Sequence, residues 1–365
     1  MLMHVKSVVR LFVACLLMTL TSSAGPVSIN RYPPASNGYR DILTVGNQVW
    51  GLTSSGAIQI IALDQPNQVD NSRHLVADAF SKDTHNNVIL LKGTKVSVLP
   101  NGEDVGKREQ EINRTAAHSA FGILSDRQGN LFTITTAGIG AASSGKVYFP
   151  KKSPNSQINL QSTWGKPAAY FIDSADRIWV GFGYGEWGGN VFVFDTQEKQ
   201  FLAPDFGEFR IELNPIKSIF EANSTVYLTC GLHHFTASGC IVGFTNLQAR
   251  FLLQSEAARD SADGKFFVKS GEYIGPGAFN ASNQCLYFYS QNGIFRGPAQ
   301  SDLSRLANWE KVVQPKLHWT NGQRDAVGSP MNVLKIAFTA DNTLVFLSQN
   351  DGIGLFDGRA LRMID

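Results

Sequence analysis

The sequence is short of charge. Asp, Glu, Lys and Arg make up 17% of its 365 residues, where about 25% is usual for a soluble protein. The two signs nearly cancel, with 32 basic against 30 acidic residues. No surplus is left to neutralise phosphates, which excludes a polybasic nucleic-acid binder. Long apolar runs are missing beyond the first segment. A multispanning membrane protein is thereby excluded, since each span needs about 20 apolar residues. There are four cysteines and no Cys-x-x-Cys spacing, so no zinc site and no cofactor is implied. A Gly-x-Ser-x-Gly elbow, a Walker loop and a His-Glu-x-x-His helix are all lacking. Amphipathic helical stretches are absent too, apart from one short candidate at 301–309. Apolar material is plentiful: 43% of the chain is hydrophobic, with 24 Phe. That is enough to offset chain entropy and excludes disorder.

The N-terminus reads as a targeting segment. Lys6 and Arg10 form a basic region, residues 11–20 (LFVACLLMTL) an apolar run, and Ser22 and Ala24 put small residues before a cleavage point at Gly25. This is the three-part pattern of a secretory signal peptide. The apolar run is too short for a comfortable span, which disfavours an uncleaved anchor. Cys15 lies inside that run, the wrong place for a lipoprotein box. The expected organisation is a signal peptide at 1–24 and one domain at 25–365, secreted or periplasmic, with no membrane span after cleavage. Loss of Lys6 and Arg10 leaves 30 basic against 30 acidic residues. Cys230, Cys240 and Cys285 remain. Cys230 and Cys240 flank nine residues and could face each other across a hairpin as a disulfide or as buried thiols; spacing does not decide between them.

A recurring pattern carries the fold. An apolar run, a tight polar turn and a second run rich in aromatic and β-branched residues recur at 121–134, 170–182, 216–229, 278–289 and 334–347, with weaker copies at 42–52 and 77–91. The turns use Asp, Asn, Ser, Gly and Gln, which tolerate left-handed backbone or bond their own chain. The second runs begin at Val49, Val88, Leu131, Ile178, Val226, Leu286 and Leu344, spaced 39 to 60 residues apart. The two chain ends together supply one further repeat length. Such a period with several short strands per unit predicts an all-β, seven-bladed β-propeller of four-stranded antiparallel blades. Stacked blades bury both faces, which explains continuous runs such as Ile178-Trp179-Val180.

One repeat resembles a known family. Asp173-Ser-Ala-Asp-Arg-Ile-Trp-Val-Gly181, followed by Asn190-Val-Phe-Val-Phe-Asp195, is similar to a repeat of the two-component-regulator (sensor-type) propellers. Fragments recur at Asp126-Arg-Gln-Gly-Asn-Leu131 and Gly354-Leu-Phe-Asp-Gly358, so the match covers about three blades of seven. The resemblance implies a sensor or binding propeller and brings no catalytic residues with it.

Propeller connectivity sorts the loops. If strands run from the channel outward, the turns between first and second strands, and between third and fourth, share a lower face. The turns between second and third strands share the upper face with the blade-to-blade connections. The long loops are expected on the upper face: second–third turns at 136–145, 183–189 and 231–239, and connections at 205–215, 255–272 and 315–331. Long loops on a rigid ring usually carry function. The candidate ligand-binding residues there are Trp164, Tyr184, Glu186, Trp187, His233, His234, His318 and Trp319, with Gly183, Gly185, Gly188 and Gly189 letting one tip adapt. Aromatic faces suit sugar rings or a partner's hot spot; the same aromatics could instead form a satellite core. Adjacent His233 and His234 would point opposite ways on a strand, so no metal is assigned to them. Asn113, Asn223 and Asn280 head glycosylation sequons, relevant only in a eukaryotic source.

The sequence therefore points to an exported monomeric binding module for a glycan, peptide or protein ligand. The alternative is a propeller enzyme (a hydrolase, lyase or lactonase) with Glu186, His233, Asp263 and His318 converging at the channel mouth. Mass spectrometry of material from an exporting host should find the mature N-terminus at or near Gly25, and an intact Met1 on the exported form would refute cleavage.

Overall fold

The computed structural model describes residues 38–364 apart from 65–68, 71, 114–118, 161–162, 235, 257, 263–264 and 319–332. The signal segment, Asp263 and Trp319 thus lie outside the described residues. Seven four-stranded antiparallel meanders follow one another along the chain, at 39–70, 79–111, 120–148, 169–202, 216–255, 277–313 and 333–364. They are blades one to seven. The inner strands, Tyr39–Val45, Ala79–Lys82, Ala120–Ser125, Ala169–Ile172, Ile216–Ala222, Gly277–Asn280 and Val333–Phe338, touch in sequence and close a ring, the seventh meeting the first. The seven expected second-run positions, from Val49 to Leu344, all fall on second strands. No described helix is long and apolar enough to cross a membrane.

Burial follows from blade stacking. Second and third strands read as unbroken apolar runs because both their faces are covered: Gly189–Asp195 is buried at all but its last residue. The buried side chains fall into seven clusters, one per joint between neighbouring blades. The closing joint is one of these. Tyr39, Ile42, Val49 and Ile61 of blade one pack on Val345, Leu347, Ile353 and Leu355 of blade seven. Each blade is built from consecutive strands, so the ring closes by packing, without a blade shared between the two ends. Lys335 Nζ to Asp41 Oδ1, at 2.7 Å, and the Ala340 N–H on the Gly46 carbonyl, at 2.9 Å, add polar ties.

The lower-face turns explain the family resemblance. Asp126 Oδ1 accepts the N–H groups of Gln128 and Asn130 at 3.0 and 2.8 Å. Asp173 Oδ1 does the same for Ala175 and Arg177, while its Oδ2 accepts from Arg177 Nε at 2.7 Å and the Trp179 indole at 2.8 Å. The carboxylate thus closes the turn and fixes the tryptophan that follows. Neighbouring turns are laced together. Arg127 donates from its backbone and its side chain to Asp176, both at 3.0 Å, and Ser174 N donates to Glu221 at 2.7 Å.

Several expected loops are structured. The stretch 136–145 contains the third strand Gly138–Ala141, leaving a two-residue upper turn. Most of 231–239 extends two paired strands, Thr225–His233 and Ala237–Thr245. Gly231 lies on the first of these strands and is needed because a Cβ at that position would lie 2.2 Å from the Ile274 carbonyl oxygen. The connection 255–272 holds a hairpin, Ala258–Ala262 with Lys265–Lys269. In 301–309 the helix is a single 3-10 turn, Leu306–Asn308. Cys230 and Cys240 are opposite partners in register, yet both thiols are free and buried, and Cys240 Sγ donates to Asn214 Oδ1 at 3.3 Å. Asn280 ends an inner strand at 2% exposure, leaving no room for a glycan.

Replacing Asp173 with Ala would strip a buried indole N–H, a half-buried guanidinium and two backbone donors of their acceptor. The expected loss is about 3 kcal/mol of unfolding free energy, read as a lowered urea midpoint at constant slope.

Candidate functional site

The upper turn of blade four, 184–188, is clamped from both sides. Tyr184 N donates to the Gly188 carbonyl at 2.8 Å, closing the loop over a 3-10 turn, Gly185–Trp187. Gly188 has φ +73°, and a Cβ there would lie 2.2 Å from the Glu212 backbone. It permits close contact with the connection to blade five; it does not loosen the tip, as the sequence had suggested. From the other side comes Asn155, fully buried. Its Nδ2 donates to the carbonyls of Trp187 (3.1 Å) and Gly189 (2.9 Å), and its N–H to Asn190 Oδ1 (2.8 Å). Two blade-to-blade connections therefore fix the tip, and Trp187 stands out from it at 60% exposure.

The other sequence candidates separate into different roles. Tyr184 is half-buried and stacked on Phe182 at 6.1 Å; burial pushes its phenol above the ordinary tyrosine value. Glu186 Oε2 meets His234 Nδ1 at 3.1 Å, joining the tips of blades four and five. His233, one residue earlier, lines the central channel instead, so the two histidines do diverge. His318 Nδ1 lies 2.6 Å from Asp351 Oδ1 and fastens the connection before blade seven to that blade's upper turn. Trp164 lies in the core between blades three and four. At 6% exposure it packs among Phe149, Phe182, Phe192 and Phe201, with ring centroids 5.4 to 6.2 Å away. Glu186 and His318 thus have separate partners, and no three His, Cys, Asp or Glu side chains gather as metal ligands among the described residues.

The channel follows from the fold, but sequence reasoning missed the residues that line its mouth. A cavity of about 900 Å³ opens at the upper end, lined by all seven inner strands or the residues just before them. Upper turns contribute Gly185, His233 and Gln349. Four inner strands carry a β-bulge near their start. Arg40, Phe121, Lys217 and Leu334 are skipped in the pairing of blades one, three, five and seven, and each lines the cavity. Bulges re-aim side chains and are over-represented beside functional sites. The signal was present in the sequence: a long cationic residue stands second in the strands starting at Tyr39 and Ile216.

The cavity's charges are unevenly satisfied. Arg40 Nη2 donates to the carbonyls of Ala77 and Asp78 at 3.2 and 2.8 Å. Asp41 accepts from Lys335; Asp78 accepts Lys92 Nζ and the Gly93 N–H, both at 2.8 Å. Lys217 Nζ lies 5.7 Å from the centre of the Tyr273 ring, with no hydrogen bond or ion pair among the described residues. Desolvation holds its ammonium pKa below the ordinary lysine value. Burial pushes the phenols of Tyr170 and Tyr273 upward, and the nearby Asp41 carboxylate adds to the effect on Tyr170. Tyr170 donates to the Phe121 carbonyl at 3.1 Å.

No family model and no curated protein matches the chain. Solved structures similar to it include the RRP9 WD40 repeats, 10% identical with a TM-score of 0.51, over 90% of this chain and 93% of that one. Another is the extracellular domain of the putative hybrid two component system BT3049 from B. thetaiotaomicron, 13% identical with a TM-score of 0.49. The match covers 90% of this chain and 40% of that domain's chain, so the sequence spans well under half of it. At these identities the likeness shows the propeller fold alone.

The two tryptophans should part company on truncation. Trp164→Ala should cost about 3–5 kcal/mol as a core cavity, whereas Trp187→Ala should stay within about 0.5 kcal/mol. Thermal or urea melts of the two variants check this directly.

Proposed function

We propose that the protein is an exported, monomeric binding module that takes a glycan, peptide or protein ligand at the upper mouth of its channel. One observation carries this reading: an open cavity drawing residues from all seven blades, into which four bulges aim side chains, beside a clamped tip that holds Trp187 in solvent. Its volume suits a small ligand or the end group of a longer one. The lower face supports the assignment by contrast, since its turns between first and second strands are short and several are hydrogen-bonded to their neighbours. Export rests on the N-terminal pattern of basic, apolar and small residues. The propeller-enzyme alternative needs acid and imidazole groups converging at the mouth; among the described residues Glu186 and His318 are engaged with His234 and Asp351.

Binding energy at the rim comes chiefly from aromatic area, because stacking and burial exceed what a nearly neutral surface gains from charge. The test is a screen of the mature chain against glycan and metabolite panels, followed by calorimetry on the hit. Trp187→Ala should weaken binding by about 2 kcal/mol or more without lowering the melting temperature. Binding that survives Trp187→Ala and His233→Ala combined would show the face to be misassigned.

A further inference from the structure

The lining of the channel mouth carries four basic side chains, Arg40, Lys166, Lys217 and Lys335, against two carboxylates, Asp41 and Asp78. Both carboxylates are already spent inside the protein. Asp41 holds Lys335, and Asp78 holds Lys92 and a backbone N–H. The imbalance centres on Lys217. It lies at the bulge and lines the cavity, its Nζ is 5.7 Å from the centre of the Tyr273 ring, and the Cys230 thiol, whose pKa burial pushes up, supplies no counter-charge. An ammonium taken out of water without a counter-charge is expensive.

The fold does not require that expense. The equivalent bulges of blades three and seven hold Phe121 and Leu334. An apolar side chain therefore fits this place in the architecture, and the cations at Arg40 and Lys217 need another reason. A concave, partly desolvated site with unanswered positive charge attracts and orients anions.

We propose that the channel mouth is an oxyanion seat: the ligand presents a carboxylate or sulfate group to Lys217, with Arg40 and Lys335 at the border of the same cavity. This rests on the binding-module reading and narrows its ligand to an acidic one, such as a uronic acid or a sulfated sugar. Arg40 uses one terminal nitrogen on two carbonyls, and a guanidinium has further donors to offer. The Tyr273 ring beside Lys217 supplies an apolar wall for the body of the ligand.

The test is calorimetric titration of the mature chain with sodium glucuronate, sodium sulfate and neutral glucose, at ionic strength fixed by sodium chloride. Glucuronate or sulfate should bind one per chain, and glucose about tenfold more weakly or worse, the difference one charged hydrogen bond makes. The stronger of the two anions identifies the headgroup. Lys217→Met should abolish the preference for anion over glucose while leaving the melting temperature equal or higher, because an uncompensated buried charge has been removed. Lys217→Arg should keep the preference, and Lys152→Gln, on the exposed surface away from the cavity, should bind as the parent does. The seat is refuted if neither anion binds, or if Lys217→Met binds the anion as well as the parent. A neutral panel hit that depends on Trp187 but ignores Lys217→Met would refute the seat and leave the binding face standing. Glucuronate binding lost in Lys217→Met but untouched by Trp187→Ala and His233→Ala combined would support the seat and overturn the rim.

Discussion

Blade-on-blade packing is the interaction everything else depends on. A four-stranded meander has two apolar faces and cannot bury either by itself, so each blade needs two neighbours. Seven joints, each with its own cluster of buried side chains, meet that need around the ring. The joint between blades seven and one matters most, because no chain connection reinforces it. Its eight fully packed side chains and the Lys335–Asp41 pair are what separates a closed ring from an open stack.

Closure also divides the labour between the two faces. On the lower face, turn carboxylates are consumed by their own turns or by the adjacent blade, as at Asp126, Asp173 and Asp176. Chemistry spent on geometry is not available to a ligand. On the upper face the chain must travel from the rim of one blade to the centre of the next. Those connections brace the tips, as Asn155 does below Trp187, while the inner strands begin at the mouth. Rigid rim and open centre follow from the same connectivity.

Much of this was legible in the sequence. The seven-fold count and the second-strand positions follow from the spacing of apolar runs, and the sorting of loops between two faces follows from the order of strands. Loop boundaries were not. Glycine-rich segments such as 136–145 and 231–239 read as turns, whereas their glycines serve close strand and connection packing. Trp164 read as a rim aromatic because its depth depends on four phenylalanines distributed from Phe149 to Phe201. Lys217 and Arg40 went unnoticed because a bulge is a property of strand pairing: only the partner strand shows that a residue has been skipped. Trp187, Glu186 and His234 were found together because they occupy neighbouring tips, whose order the repeat already dictates.

The bulged positions repeat one backbone feature with different side chains: Arg40 on blade one, Phe121 on blade three, Lys217 on blade five and Leu334 on blade seven. The ring's rotational symmetry therefore ends at the backbone. At the closing joint Leu334 and Arg40 occupy equivalent places on adjoining blades, and the mouth passes from apolar to cationic at that point on its circumference. A molecule entering along the axis meets a lopsided opening in which each azimuth is chemically distinct, so the ring itself can hold a guest in a single rotational setting.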